Sequence, residues 1–250
     1  MHRFFVNKDN IKESTIIIDG DDVNHISKVL RLKKEEEIIV CDGNKNEYIC
    51  EIHQINKKEI LCKIKQSKIN ENEPEVEITL FQGLPKAQKM DLIIQKCVEI
   101  GVVRIQPVIT KRTVVKVENR DLKGKLERWN RISEEAAKQS KRGIIPKVLE
   151  PINFEDAVLL MEDMDISILP YENQHGHGIK NVLNEKTTEI KKVGIFIGPE
   201  GGFDDQEVNI CLSKGIIPVT LGKRILRTET AGFAATIMIL YEIGDMGGYK

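Results

Sequence analysis

The apolar positions follow two different rhythms along the chain. In the first seventy residues they form short β-rich runs, at residues 14–18, 37–41, 48–52 and 59–64. Turn signals stand between them, at Asp42-Gly43-Asn44 and at residues 56–58. One helix interrupts. Asp22 or Asn24 serves as its N-cap, and Val23, Ile26, Val29 and Leu30 fall at helical spacing. Many short strands in few residues predict a small closed or half-closed barrel. Residues 65–74 are polar and poor in large side chains, which predicts a linker.

Beyond it, longer elements alternate. Strands are expected at residues 76–81, 103–109, 166–169, 193–197 and 216–221. Helices are expected at 86–100, closed by Gly101, and at 122–139. The first buries Met90, Ile93, Ile94, Cys97 and Val98; the second buries Leu126, Trp129, Ile132 and Ala136. Such alternation means an α/β unit with a mostly parallel sheet covered on both faces. The expected domains are therefore 1–70, a small β-barrel, and 74–250, the α/β domain.

Composition narrows the class. Forty per cent of the 250 residues are apolar, enough for a substantial core, and 31% are charged. No apolar run is long enough to span a bilayer, and the start has no signal-peptide architecture. The five cysteines are scattered without a CxxC pair, which suggests reduced thiols in a cytoplasmic protein. The net charge of −1 hides an asymmetry. Residues 86–147 carry 16 Lys and Arg against 7 Asp and Glu, while residues 148–220 carry 5 against 13. A basic segment in a neutral chain is the electrostatic footprint expected for a phosphate backbone, although solvated helix faces would give the same count.

Two loops stand out near the carboxy terminus. Gly198-Pro-Glu-Gly-Gly202 follows the strand at 193–197 and precedes a helix with Asp204 as N-cap and Glu207 three residues on. Leu221-Gly-Lys-Arg-Ile-Leu-Arg-Thr-Glu-Thr-Ala231 follows the next strand and runs into a helix over 232–243. Polar loops after strands, opening onto helix N-termini, are where open α/β sheets hold ligands. Either loop alone could be a mere strand-to-helix joint. There is no GxGxxG, so a dinucleotide fold is not supported. His175-Gly-His177 has no carboxylate or cysteine to complete a metal site; it reads as a mobile loop, and no metal is expected.

These two loops together resemble the SPOUT methyltransferases, and more narrowly the RsmE-type enzymes of bacterial ribosomal RNA. His2-Arg-Phe-Phe-Val6, His25-Ile-x-Lys-Val-Leu-Arg-Leu32, Lys86-x-x-Lys-Met90, Glu99-Ile-Gly101 and Glu134-Glu-Ala-Ala-x-Gln-Ser140 extend the match over nearly the whole chain. The resemblance implies a PUA-like RNA-binding barrel followed by a SPOUT domain with a carboxy-terminal trefoil knot. It implies methylation of the N3 atom of one uridine in small-subunit (16S) ribosomal RNA, with S-adenosylmethionine as donor. A homodimer is implied, acting on an assembled or nearly assembled small subunit.

By motif position, the resemblance assigns the cofactor to Leu169 and Pro170, to Gly198, Pro199, Glu200, Gly201 and Gly202, and to Leu221, Gly222, Ile225, Leu226 and Arg227. Leu221, Ile225 and Leu226 would wall the adenine or simply pack in the core. Methylating N3 removes a proton and leaves negative charge on the flanking carbonyls, which a fixed guanidinium would stabilise. Arg227 is the first catalytic candidate and Arg112 the second. Glu229 is either the proton acceptor or a brace for Arg224 or Arg227. Arg3, His25, Lys28, Arg31, Lys86, Lys89, Arg112, Lys141 and Arg142 are the expected RNA contacts, each with a structural alternative. The rival functions are a SPOUT enzyme acting on a ribose hydroxyl, and a non-catalytic RNA-binding assembly protein.

Overall fold

The computed structural model describes residues 1–114 and 119–248. Residues 115–118 of the basic segment lie outside the described residues. The chain forms two compact units, Met1–Glu73 with Ala137–Ile145, and Pro74–Ala136 with Pro146–Lys250.

The first unit is built on β1 (Arg3–Phe5), β2 (Thr15–Asp19), β3 (Glu37–Cys41), β4 (Asn46–Ile55) and β5 (Glu59–Ile69), in the order β1-β3-β4-β5-β2. All neighbours are antiparallel except β1 and β3. The β4–β5 ladder slips register twice, between Ile49 and Cys50 and between Ile52 and Gln54, and such bulges bend a sheet. The outer strands β1 and β2 do not pair, so the sheet is a half-barrel. Its concave core holds Phe4, Ile16, Ile18, Ile38, Val40, Ile52 and Ile60.

Two expectations are corrected here. Residues 65–69 belong to β5, and residues 66–69 pair with residues 46–49 of β4. That end of the ladder is largely exposed, so it carries no apolar alternation to betray a strand. Helix α1 (Asp21–Asn24), continued by a π-helical turn at His25–Val29, is capped by Gly20 and not by Asp22 or Asn24. Gly20 has φ 67°, which turns the chain into the helix directly after β2.

Ion pairs buried within this unit account for two predicted surface cations. The Arg3 guanidinium meets the Glu47 carboxylate at 2.8 Å and donates to Cys41 Sγ and to the Arg142 carbonyl. Arg142 forks onto Glu73 through Nε and Nη2, and Glu73 also accepts from the Gly143 and Ile144 amides. Burial pushes the Glu47 carboxyl up. Hydrogen bonds from Asn70, Arg3 and Lys68, with the Arg3 charge, outweigh it and hold Glu47 below its ordinary 4.5. A depressed carboxyl binds its proton more readily in the unfolded chain, so its stabilisation is present above pH 4.5 and is lost as pH falls through the folded value. Glu47→Gln is expected to lower the urea midpoint at pH 7 and to remove part of the acid-side slope; parallel midpoint–pH curves for both proteins would contradict this.

The second unit contains β6 (Glu77–Gly83), β7 (Arg104–Ile109), β8 (Lys147–Val148), β9 (Ile152–Asn153), β10 (Ile166–Pro170), β11 (Lys192–Ile197) and β12 (Ile217–Val219). The order is β12-β10-β11-β6-β7-β8, with β9 also on β7, and every pairing is parallel. Its helices are α2 (Lys89–Ile100), α3 (Asn119–Gln139, which runs into the first unit from Ala137 on), α4 (Phe154–Glu162), α5 (Ile179–Glu185), α6 (Asp205–Ser213) and α7 (Thr228–Ile243). Successive residues of the central strands serve opposite faces. Leu80 lies against Gly232 of α7, whereas Phe81 and Phe196 join a cluster with Phe154, Ala157 and Val158 of α4 and Val208 and Cys211 of α6. Helices α2 and α7 pack together on the first face. Gly101, at φ 133°, caps α2 in a backbone conformation that a side chain would strain. Among the described residues no helix is long and apolar enough to cross a membrane.

Candidate active site

The loops that leave the carboxy ends of β10, β11 and β12 enclose a cavity of about 480 Å³. That volume lies in the range of roughly 300–1,000 Å³ typical of small-molecule sites. Pro170 and Tyr171 form one wall, residues 197–200 with Gly202 and Phe203 the second, and residues 220–228 the third. The glycines allow the walls to approach closely. A Cβ on Gly83 would lie 2.6 Å from Pro199 Cδ, so the end of β6 can touch the Gly198–Pro199 peptide only because Gly83 has none. Asp204 and Glu207 form a capping box at the start of α6, as the motif spacing predicts.

The structure separates the predicted cofactor residues. Ile225 is 81% exposed, so it has no core role, and it lines the cavity with the half-buried Leu221 and Leu226. Pro170, Gly198, Pro199, Glu200, Gly202, Gly222 and Arg227 line it as well. Leu169 instead sits fully buried in the α4–α6 cluster. Gly201 backs onto Arg112, whose Nη1 donates to its carbonyl at 2.8 Å. The loop around His175 is tied at both ends: Gln174 N donates to Tyr171 O, and Thr220 N donates to His177 O. Among the described residues, no group of three or more His, Cys, Asp and Glu is placed to hold a metal ion.

A cluster of alternating charge sits at one lip. Lys89, at the start of α2, places its Nζ 3.0 Å from Glu200 and 3.4 Å from Glu229. Glu200 also accepts from the Lys86 amide at 3.0 Å. Burial raises the Glu200 carboxyl, but its own amide, the Lys89 ammonium and the Lys86 amide outweigh that and hold it below the usual range. The hydrogen bond that Lys89 donates to Glu200 in turn holds its ammonium above its ordinary value. Glu229 Oε2 is buried and accepts no hydrogen bond; its contact with Lys89 is a looser ion pair. Arg227, the N-cap of α7, has a side chain 84% exposed, and its approach to Glu229 is only 4.0 Å. Glu229 is therefore paired more closely with Lys89 than with Arg227, a partnership that neither residue's neighbours in the chain announce.

The remaining predicted RNA contacts divide by exposure. Lys28, Arg31, Lys86, Arg112 and Lys141 are exposed. His25 is half-buried, edge-on to Phe4 at 6.3 Å, and Lys89 is half-buried in the charge cluster. Arg3 and Arg142 are buried in ion pairs, which gives both a structural role within the first unit.

Two family models place this chain, a half-barrel followed by a parallel α/β sheet with a loop-built cavity at its strand ends, among two-unit RNA methyltransferases. Residues 71–240 match the RNA methyltransferase domain model, and residues 18–65 match the RNA methyltransferase PUA domain model. Within that class the chain belongs to the ribosomal RNA small subunit methyltransferase E family. It is 33% identical to the Bacillus subtilis protein of that name over 97% of both chains. It is 38% identical to the Mesomycoplasma hyopneumoniae protein over 92% of this chain and 95% of that one. The Neisseria gonorrhoeae enzyme, solved bound to S-adenosyl methionine, superposes with a TM-score of 0.86 at 31% identity, covering 98% of this chain and 99% of that one.

Proposed function

We propose that this protein transfers the methyl group of S-adenosylmethionine to the N3 atom of one uridine in small-subunit (16S) ribosomal RNA. The observation that carries this reading is the placement of Arg227, exposed at the N-cap of α7, in the lining of the cavity, with Glu229 half-buried two residues on. The cavity itself suits the cofactor. Its walls mix apolar side chains with bare backbone, and among the described residues the amides of residues 223–226 make no hydrogen bond. Glu200 supplies a carboxylate for a cation. When bound, the cofactor supplies an electrophilic methyl group on a positively charged sulfur.

The chain's own residues do the rest. Ile225 and Leu226 exclude water from the adenine side. Arg227 reaches from the cofactor loop to the base and stabilises the negative charge that develops on the uracil carbonyls as the N3 proton leaves. Glu229 accepts that proton directly or through a water. Nucleoside mass spectrometry of ribosomal RNA from cells with and without the protein tests the reading. Loss of an N3-methylated uridine supports it; loss of a ribose methylation points to the 2′-hydroxyl reaction instead. No lost modification, with no cofactor binding by calorimetry, leaves an RNA-binding assembly protein.

Cations on each unit bind the RNA backbone in this reading, with Lys28 and Arg31 the exposed pair on the half-barrel. Reversing both to Glu is expected to weaken RNA binding and to flatten the dependence of log K on log salt by about 1–2 in slope. An unchanged slope would remove these residues from the interface. The protein is also proposed to act as a homodimer. Leu92 of α2 and Ile237, Met238 and Tyr241 of α7 are exposed apolar residues on two helices packed together. Sedimentation at micromolar concentration is expected to give a dimer that Tyr241→Arg converts to monomer; a monomeric wild type would end this idea.

The trefoil knot, implied by the family resemblance, and a cytoplasmic setting, suggested by the scattered cysteines, belong to the same proposal. A crystallographic trace of residues 160–243 decides the first and cell fractionation the second.

A further inference from the structure

Three polar groups far apart in the chain meet beneath the lip that carries Arg227 and Glu229. Gln82, near the end of β6, is fully buried. Its Nε2 donates to the Gly83 carbonyl at 2.9 Å and to Thr228 Oγ1 at 2.9 Å. The Thr228 hydroxyl donates to the Gly198 carbonyl at 2.6 Å. Gln82 Oε1 is buried and accepts no hydrogen bond. An orphaned buried acceptor is rare in folded proteins and calls for a reason.

The direction of the chain is forced. Turning the Gln82 amide round would set its oxygen against the Gly83 carbonyl, two acceptors face to face. The Nε2 group must therefore stay where it is, and the Thr228 hydroxyl must accept from it. The single hydroxyl proton is then committed to Gly198. Three cofactor-side elements are joined by this relay: β6 through Gln82, the glycine-rich loop through Gly198, and the first turn of α7 through Thr228. Thr228 lies directly between Arg227, whose carbonyl accepts from the Thr230 and Ala231 amides at the start of α7, and Glu229; their side chains approach each other only to 4.0 Å, and Glu229 pairs with Lys89.

We infer that Thr228, oriented by Gln82, is a positioning residue that sets Arg227 and Glu229 against the cofactor loop. The inference rests on the function proposed above. The Gly83–Pro199 approach brings the loop close enough to β6 for one hydroxyl to bridge both. The orphaned oxygen of Gln82 is the cost of aiming its amide nitrogen at Thr228. Thr228 touches neither the base nor the methyl group in this role; it fixes the groups that do. A displacement of reacting groups by about 1 Å can lower turnover as much as a hundredfold.

The test compares Thr228→Val, which keeps the shape and loses the hydroxyl, with Thr228→Ser, which keeps the hydroxyl. Thr228→Val is expected to lower kcat roughly tenfold or more, while KM for the cofactor changes much less. Thr228→Ser is expected to restore turnover. Gln82→Met is expected to lower kcat in the wild-type background and to add nothing in the Thr228→Val background, because both act through one hydroxyl. Amide hydrogen exchange in the first turn of α7 supplies a readout that needs no turnover; it is expected to rise in Thr228→Val and not in Thr228→Ser.

Normal kcat and unchanged exchange in Thr228→Val overturn the inference. So does a serine variant as impaired as the valine one, or a double variant whose losses simply add. A wild-type protein that transfers no methyl group overturns the function reading separately, and the exchange comparison still decides whether the hydroxyl anchors α7.

Discussion

Replacing Arg227 with alanine is expected to leave S-adenosylmethionine affinity nearly intact and to lower the single-turnover rate by roughly a hundredfold or more, the size seen when one oxyanion donor is removed. The sequence alone admits another outcome, in which Arg227 braces the loop and its loss lowers cofactor affinity and melting temperature together. The geometry favours the first. An arginine whose side chain is 84% exposed and stands 4.0 Å from its nearest carboxylate is not a brace. Exposed pairs of that kind contribute about 0–1 kcal/mol, so the melting temperature of Arg227→Ala is expected to stay close to wild type. Arg227→Lys keeps the charge and loses the planar fork of donors, and is expected to recover little. Cofactor affinity by calorimetry, melting temperature and single-turnover rate on the same variant separate the outcomes. Near-normal turnover would shift the role to Arg112, which the structure holds at the Gly201 carbonyl of the glycine-rich loop.

The largest stability effect is expected at Arg142 and Glu73. Their side chains are 3% and 4% exposed. Glu73 receives both the guanidinium fork and two backbone amides. Breaking a buried ion pair by removing one member typically costs about 3–5 kcal/mol. Glu73→Ala is therefore expected to lower the melting temperature of the first unit by roughly 12 °C or more. It should also loosen residues 143 and 144, whose amides it caps. Calorimetry with hydrogen exchange on that segment reads both effects. A shift of a degree or two would mean that solvent reaches the pair more freely than its burial indicates. The same reasoning changes how RNA binding should be probed. Charge reversal at Lys141 and Arg142, natural from the sequence, would break this buried pair and confuse unfolding with weakened binding; Lys28 and Arg31, both exposed, avoid that.

The sequence by itself determined the periodic elements and the loops between them. Met90, Ile93, Ile94, Cys97 and Val98 are all buried on α2, because helical spacing reports which side faces the sheet. The capping box at Asp204 and Glu207 was equally legible, being confined to one turn. So were the two loops that frame the cavity, since a glycine-rich stretch after a buried strand carries its own signal. Helices α4 and α5 were not foreseen. Both are short, and much of α4 reads as a continuous apolar run, which suits a strand or a buried helix equally. What only the tertiary structure decided was the partner of each charged or polar group. Arg142 is an RNA contact or a buried brace depending on Glu73, 69 positions away. Lys89 depends on Glu200 and Glu229, and Thr228 on Gln82 and Gly198. The physical reason is that burial of an apolar face repeats along one element and is written locally, whereas a hydrogen bond or ion pair joins two specific atoms brought together by the path of the chain.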